Sequence, residues 1–267
     1  MNIDGKKIRD KVLEELKSEI GSKKLRLVGV LVGDHSGSKK FMELKEKAAK
    51  EVGIDFKLHE FPGDISTNKL RDELNNIAKQ GVNHGIIIEL PLPKQINTQY
   101  ILNTIPQEKD VDVLSIKAQG AFFVGKSKIL PPAVEALKIV FKEHDIDVKG
   151  KNIAVFGYGV LIGKPIANWL AVQGASVFVI NEFTKRPEEI SKEADIIISG
   201  VGETGLIKKD MVKDGVIVID FGYSKGGKGD IDFDSVSQKA SLITPVPGGM
   251  GPIVVAAVLK NLLRLAD

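Results

Sequence analysis

The chain has 267 residues, and its 38 basic and 35 acidic residues leave a formal net charge of only +3. These charges are interspersed along the chain, which argues against nucleic acid as a partner. Cysteine is absent, which excludes disulfides, thiolate nucleophiles and cysteine-based zinc sites, and the four histidines show no metal-ligand spacing, so no metal site is expected. The N-terminal segment is polar and no apolar run reaches the roughly 18 residues of a membrane span, so we expect a soluble cytoplasmic protein.

Apolar, β-branched segments alternate with segments of helical periodicity along the chain. The predicted strands cover 26–32, 84–90, 152–157, 175–180, 194–199 and 215–222, and the predicted helices cover 6–20, 38–52, 67–80, 132–145, 161–173 and 251–266. This alternation predicts an α/β fold of βαβ units around parallel sheets.

The stretch 115–132 reads as irregular, and a glycine-rich turn follows it soon afterwards. We therefore place a domain boundary there. The prediction is an N-terminal α/β substrate domain over 1–117 and a C-terminal Rossmann-type dinucleotide-binding domain over 118–267. The last helix, 251–267, is expected to pack back on the first domain.

The segment NIAVFGYGVLIGKP, 152–165, runs from a predicted strand into a glycine-rich turn and a helix. Its punctuating residues are Gly157, Gly159, Gly163 and Pro165. Glycines at such a turn let the backbone approach a pyrophosphate, which the helix N-terminus stabilises. The spacing is one residue longer than the usual fingerprint, so a plain tight turn is the alternative.

Glu182 follows the next strand, where an acid commonly bonds a ribose 2′-hydroxyl, and this favours NAD over NADP.

Three other segments carry candidate ligand-binding residues. ITPVPGGMGP, 243–252, is stiff at its prolines and bare at its glycines, which suits contact with a flat ligand, although a structural turn is possible. IIIELPLP, 86–93, sets Glu89 at the carboxyl end of a predicted strand, where α/β proteins bind ligands. The acids of KDVDV, 109–113, read on their own as surface charges.

The segment SKKFMELK, 38–45, places Lys45 four residues after Phe41 on a predicted helix. Periodicity alone predicts that Phe41, Leu44 and Ala48 face the core and that Lys45 is a solvated residue at the edge of that face.

Taken in order with VGDHSGSKKFMELKEKAAKEVGI, 32–54, these segments resemble the bifunctional methylenetetrahydrofolate dehydrogenase/methenyltetrahydrofolate cyclohydrolase family over essentially the whole chain. The resemblance implies a two-domain α/β homodimer that binds a folate substrate between its domains and NADP or NAD on the C-terminal one. The implied reactions are oxidation of 5,10-methylenetetrahydrofolate to the 5,10-methenyl compound and hydrolysis of the latter to 10-formyltetrahydrofolate.

The resemblance also implies roles for individual residues. Lys45 falls on the catalytic lysine, with Phe41 and Glu89 at neighbouring positions of the catalytic and substrate site, and Asp112 falls on the aspartate that holds the pterin. The remaining substrate residues are Pro247, Gly248, Gly249 and Pro252. The remaining cofactor residues are Gly157, Tyr158, Gly159, Gly163, Pro165, Asn181, Glu182, Gly200, Val201 and Gly202.

Several positions depart from the family pattern. Phe41 replaces a tyrosine, and Glu89 replaces a glutamine; an ionised Glu89 near Lys45 would favour the ammonium form, so we expect weak or absent cyclohydrolase activity. Val113 replaces a glycine, and Tyr158 with Gly159 replaces an Arg-Ser pair, which weakens the case for NADP. A different two-domain nicotinamide oxidoreductase and a non-catalytic paralogue remain as alternatives.

Overall fold

The computed structural model describes residues 1–34, 36–224 and 226–267, with Ser36 described by its backbone alone. The α-helices are α1 (Gly5–Ile20), α2 (Ser36–Glu51), α3 (Thr67–Lys79), α4 (Thr98–Leu102), α5 (Ile116–Phe123), α6 (Pro132–Glu143), α7 (Gly163–Val172), α8 (Pro187–Glu193), α9 (Phe233–Val236) and α10 (Met250–Ala266). The strands are β1 (Arg26–Val32), β2 (Asp55–Phe61), β3 (Gly85–Ile88), β4 (Asn152–Phe156), β5 (Ser176–Ile180), β6 (Ile196–Ser199), β7 (Ile217–Asp220) and β8 (Leu242–Ile243).

Residues Asp10–Pro132 and Val255–Asp267 form one compact unit, called here the three-stranded unit. Its sheet has the order β2-β1-β3, and both pairings are parallel. Six of the seven residues of β1 and all four of β3 are buried, which explains why both read as continuous apolar runs. On α10, Asn261 is fully buried, and its amide donates to the carbonyls of Val111 and Leu130 at 2.9 and 2.7 Å.

Residues Met1–Arg9 and Ala133–Val254 form the second compact unit, the five-stranded unit. Its parallel sheet has the order β5-β4-β6-β7-β8. The strand that follows β4 lies on one side of it and the next strand, β6, on the other. Open α/β sheets bind ligands at such a reversal, outside the carboxyl ends of the strands. The loops after β4 and β6 are therefore the expected ligand-binding loops of this sheet.

The predicted α/β class with parallel sheets is confirmed, and the six predicted strands and six predicted helices are present with shifts of a few residues at their ends. The strand β2 was missed because it is an edge strand with the burial pattern of a mostly exposed segment, so its charged residues interrupt the apolar run. Among the helices of the described residues, none has the length and hydropathy of a membrane span.

The division between the compact units falls after Pro132, later than the boundary that we predicted after residue 117. The predicted irregular stretch contains α5, and Ala118 and Ile129 are buried together with Val113 in a small apolar cluster. These contacts attach the stretch to the three-stranded unit.

Candidate active site

Lys45 lies on the buried face of α2, not at its solvated edge. The buried residues of this helix include Ser38, Met42 and Ala49, and Lys45 falls between the last two at the same helical spacing. Its side chain is only 12% exposed. The orientation predicted from periodicity was therefore wrong in two respects: Lys45 is not a solvated edge residue, and Leu44, which we placed in the core, is 44% exposed.

Lys45 and Glu89 form a largely buried ion pair. The Lys45 Nζ donates to Glu89 Oε2 at 2.6 Å, and the Glu89 side chain is 10% exposed. Glu89 directly follows β3, and its backbone N–H donates to the Val30 carbonyl at 3.0 Å, so the sheet fixes the position of its backbone. Phe41 lies one helical turn before Lys45 and is partly buried. The structure thus holds the lysine head group against a carboxylate out of bulk solvent.

Asp112 belongs to the same electrostatic cluster. Burial raises the pKa of its carboxyl to about 7; the positive charge of Lys45 opposes this shift, and the carboxylates of Asp110 and Glu89 add to it. Asp110, which the segment KDVDV on its own predicted to be a surface charge, is instead a buried structural group. It is buried and accepts hydrogen bonds from the backbone N–H groups of Leu114 and Ser115 at 2.7 to 3.1 Å.

The turn after Asp112 is strained at Val113. This residue has a φ of 58°, in the left-handed region that is costly for a β-branched side chain. The family resemblance implies a glycine here, and glycine adopts this conformation without strain. In this chain the valine is 2% exposed and packs in the apolar cluster with Ala118 and Ile129. Burial of the side chain thus offsets a backbone cost of about 1–2 kcal/mol.

The turn after β4, predicted to bind a dinucleotide pyrophosphate, has two positions that only glycine can occupy. Gly157 has a φ of 86°, and a Cβ on Gly163 would lie 2.0 Å from the Gly157 carbonyl oxygen, so both positions require glycine. At the start of α7 the N-cap residue Ile162 makes no side-chain cap, but the Lys164 N–H donates to the Gly159 carbonyl at 3.0 Å and Pro165 has no N–H, so the first turn offers an anion little beyond the Gly163 N–H.

The loop after β6 contacts this turn. The Gly200 N–H donates to the Phe156 carbonyl at 3.2 Å, and a Cβ on Gly157 would lie 3.2 Å from Val201 Cγ2. The structure therefore brings together two groups of predicted cofactor residues, at the strand reversal of the sheet.

The other predicted cofactor residues lie around these two loops. After β5, the Asn181 side chain accepts the Phe183 N–H at 3.0 Å, which shapes a turn, and Glu182 within that turn is exposed. Tyr158 is exposed, and the Lys164 ammonium lies 5.6 Å from the centre of its ring. Glu182 therefore lies at the surface, directly after the edge strand β5.

The predicted substrate loop, Pro247 to Pro252, depends on a residue that sequence reasoning missed. Gly5 donates its N–H to the Gly248 carbonyl at 3.0 Å, and a Cβ on Gly5 would lie 1.8 Å from the Gly249 carbonyl oxygen. Gly248 itself has a φ of 104°. No local signal marks Gly5, because its glycine requirement comes from a contact nearly the whole chain away.

Comparison with known proteins decides the family. A model described as the catalytic domain of tetrahydrofolate dehydrogenase/cyclohydrolase matches residues 3–112, and the NAD(P)-binding domain model of the same enzymes matches residues 131–267. The chain belongs to the tetrahydrofolate dehydrogenase/cyclohydrolase family. The two matches order a catalytic domain before an NAD(P)-binding domain, as the sequence predicted.

Relatives agree over the full length. The bifunctional protein FolD of Nautilia profundicola is 40% identical over 99% of this chain and 96% of its own. The crystal structure of FolD from Campylobacter jejuni has a TM-score of 0.95 at 36% identity and covers 100% of this chain and 98% of its own. The Trypanosoma brucei enzyme, complexed with NADP cofactor and an inhibitor, has a TM-score of 0.94 at 29% identity, with 99% and 96% covered.

The glycines of the nucleotide turn allow a matched test. We expect Gly163→Ala to weaken NAD(P) binding at least tenfold and to lower the melting temperature, because its Cβ would meet a backbone oxygen that cannot move freely. Gly159→Ala has open space around its Cβ and should keep the wild-type melting temperature. Calorimetric titration with NAD and thermal unfolding measure both effects. Equal melting temperatures for the two variants would contradict the steric argument.

Proposed function

We propose that this protein oxidises 5,10-methylenetetrahydrofolate to 5,10-methenyltetrahydrofolate with NAD or NADP, and that it hydrolyses the product only slowly to 10-formyltetrahydrofolate. The observation that carries the proposal is the buried Lys45–Glu89 pair, whose two charges both act on the Asp112 carboxyl. Full-length similarity to proteins named as bifunctional FolD supports the folate substrate.

In this proposal Asp112 holds the pterin. A carboxylate accepts two parallel N–H bonds from such a ring, and with a pKa of about 7 Asp112 is partly ionised at neutral pH. The bound nicotinamide cofactor supplies the hydride acceptor. Oxidation leaves the one-carbon unit as a cation, and the Lys45–Glu89 pair presents almost no net charge to it. Hydride transfer also requires that the folate and the nicotinamide be held in the correct orientation, and the glycine-containing loops at 157–163 and 247–252 provide this positioning.

Hydrolysis makes a different demand on the same residues. Proton transfer from water needs a free group that can accept the proton, and here the Lys45 Nζ and the Glu89 Oε2 are engaged with each other at 2.6 Å. Phe41 lacks the hydroxyl with which a tyrosine could bond the lysine or the substrate. The two substitutions therefore weaken the hydrolytic step while leaving the dehydrogenase step intact.

The cofactor preference that we propose is NAD. Glu182 is exposed after β5, where a carboxylate bonds a ribose 2′-hydroxyl and repels a 2′-phosphate. Tyr158 and Gly159 supply no cationic donor in the turn. The preference for the unphosphorylated cofactor therefore rests on Glu182, and the Lys164 ammonium beside the Tyr158 ring is the cation that opposes it.

The deciding experiment measures NAD(P)H formation with NAD and NADP in parallel and follows decay of the methenyl compound separately. We expect oxidation with a preference for NAD, and enzymatic decay close to the uncatalysed rate. Lys45→Met should leave that decay unchanged; rapid decay that disappears in Lys45→Met would contradict the proposal. Binding of NAD without binding of reduced folate would favour another oxidoreductase, and binding of both without turnover would favour a non-catalytic paralogue.

The predicted homodimer belongs to the same proposal, as does the cytoplasmic location. β5 is an edge strand of the five-stranded sheet, and it exposes Phe178 and Val179 at 43% and 37%, next to Val172 and Phe183 at 72% and 83%. An exposed apolar edge of a sheet is suited to pairing with a second copy. Light scattering of the purified protein measures the oligomeric state, and a monomer at micromolar concentration would contradict this part.

A further inference from the structure

Asp230 is a buried carboxyl group that holds the loop after β6. Its Oδ2 accepts hydrogen bonds from the Ser199 hydroxyl at 2.6 Å and from the Val201 N–H at 2.7 Å. Its Oδ1 accepts the N–H groups of Gly202 and Glu203, both at 2.8 Å. The residue is 0% exposed. All four partners donate, so both carboxyl oxygens act as acceptors, as in an ionised carboxylate.

Successive backbone N–H groups that converge on one point form a nest that binds anions. The nest at residues 201–203 already contains an anion, the Asp230 carboxylate, which comes from 27 to 29 residues later in the chain. Gly222 closes the other side, because a Cβ there would lie 2.1 Å from Asp230 Oδ1. These N–H groups are therefore not available to a phosphate.

The position of this loop connects Asp230 to the nucleotide turn. β4 and β6 are neighbours, with Phe156 opposite Ser199, and the loop continues directly from that pair. Val201 is 45% exposed and lies against Gly157. A shift of the loop would therefore change the wall of the turn that receives the pyrophosphate.

We propose that Asp230 is a positioning residue for the nicotinamide cofactor. By accepting the N–H groups of residues 201–203, Asp230 fixes the loop after β6. The loop then presents the exposed Val201 side chain and its backbone carbonyl oxygens, but not these N–H groups, to an uncharged part of the cofactor. The pyrophosphate is left to the turn after β4 and the start of α7. This inference rests on the proposed function, because it requires a nicotinamide cofactor at that turn.

The first test is Asp230→Asn, which sets an amide NH₂ against backbone donors and leaves at least one N–H without an acceptor. We expect NAD affinity, measured by calorimetry, to fall about tenfold or more. The KM for folate should change much less than the KM for NAD.

The matched control is Asp195→Asn. Asp195 accepts the Asn152 N–H at 2.9 Å and the Lys213 ammonium at 2.8 Å, at the amino ends of β4 and β6. The same chemical change at the opposite edge of the same strands should leave NAD affinity within about twofold of the wild type. Unchanged NAD affinity in folded Asp230→Asn, or an equal loss in the control, would overturn the proposal.

The second test removes the anion altogether. In Asp230→Ala, added formate should refill the nest and restore NAD affinity, while chloride at the same ionic strength should not. Failure of formate to restore binding in the folded variant would overturn the proposal. If this variant does not fold, Ser199→Ala removes one donor to the same carboxylate and should weaken NAD binding severalfold; an unchanged affinity would count equally against the idea.

These measurements separate the two proposals. Calorimetry with NAD needs no folate, so the effect of Asp230 is measured even if the wild-type protein does not oxidise methylenetetrahydrofolate. Absence of turnover in a wild type that binds NAD would refute the proposed function alone.

Discussion

Glu89→Gln should raise the rate of methenyltetrahydrofolate hydrolysis by about 100-fold, at the lower end of the range that a positioned proton acceptor contributes. The wild-type carboxylate lies 2.6 Å from Lys45 Nζ in a largely buried position, where it stabilises the ammonium. A glutamine keeps an oxygen acceptor of the same size but carries no charge. The Lys45 head group then has an uncharged hydrogen-bond partner and is no longer held in an ion pair. Decay of the methenyl absorbance, corrected for the uncatalysed reaction, measures the effect.

Glu46→Gln is the matched control for this substitution. Glu46 lies next to Lys45 on α2, but its carboxylate pairs with Lys50 at 2.6 Å in an exposed i,i+4 contact. Surface pairs of this kind contribute little, so hydrolysis and stability should stay close to the wild type.

Phe41→Tyr tests the second departure from the family. Added to Glu89→Gln, it restores a hydroxyl one helical turn from Lys45, and the double variant should hydrolyse faster than either single one. If neither substitution raises hydrolysis above the wild-type rate, the Lys45–Glu89 pair does not limit this step. The oxidation step should change less than the hydrolytic step in all three variants.

The sequence predicted the sheet strands that are buried on both faces, because β1, β3 and β4 are apolar after at most one polar residue at the start. It did not predict β2, since an edge strand with exposed charges has no such pattern. The position of Lys45 could have been predicted more closely: the spacing of Ser38, Met42, Ala49 and Val52 defines a buried face that includes it. The apolar Leu44 is exposed, and assigning it to the core rotated the predicted buried face away from Lys45.

The partners of the candidate site were less accessible to sequence reasoning. Gly5 and Asp230 act through contacts with residues that are distant in the chain. A glycine or an aspartate in a polar segment has many ordinary uses, so no local pattern distinguishes these two. The strain at Val113 was visible only as a departure from the family glycine, and its burial emerged from the fold.

Asp112→Asn should stabilise the protein at pH 8 while reducing folate turnover by about 100-fold or more. An aspartate carboxyl has an ordinary pKa of 3.8, and burial is the main reason that the pKa of Asp112 is about 7 in the folded protein. Between these values the folded state binds more protons than the unfolded state, so stability falls as pH rises. The cost above pH 7 has an upper limit of about 4 kcal/mol, which an uncharged asparagine does not incur.

Urea unfolding at pH 4 and pH 8 measures this effect as a difference between variant and wild type. The free energies of unfolding should agree at pH 4, and the variant should exceed the wild type by about 2–4 kcal/mol at pH 8. Asp220, whose pKa burial raises to about 6, titrates in both proteins and cancels in the difference. Asp110→Asn should instead destabilise at both pH values, because Asp110 accepts backbone N–H groups that an amide satisfies poorly.

The same titration predicts how substrate binding depends on pH. The ionised form of Asp112 accepts the N–H bonds of the pterin, so the KM for folate should fall as pH rises from 6 to 8 in the wild type. In Asp112→Asn the carboxylate is absent, and the KM should be high and nearly independent of pH. If the KM of Asp112→Asn still falls between pH 6 and pH 8, a group other than Asp112 is responsible for the pH dependence. A variant that is both less stable at pH 8 and fully active would show that the buried charge is neither a cost to folding nor a contact to the substrate.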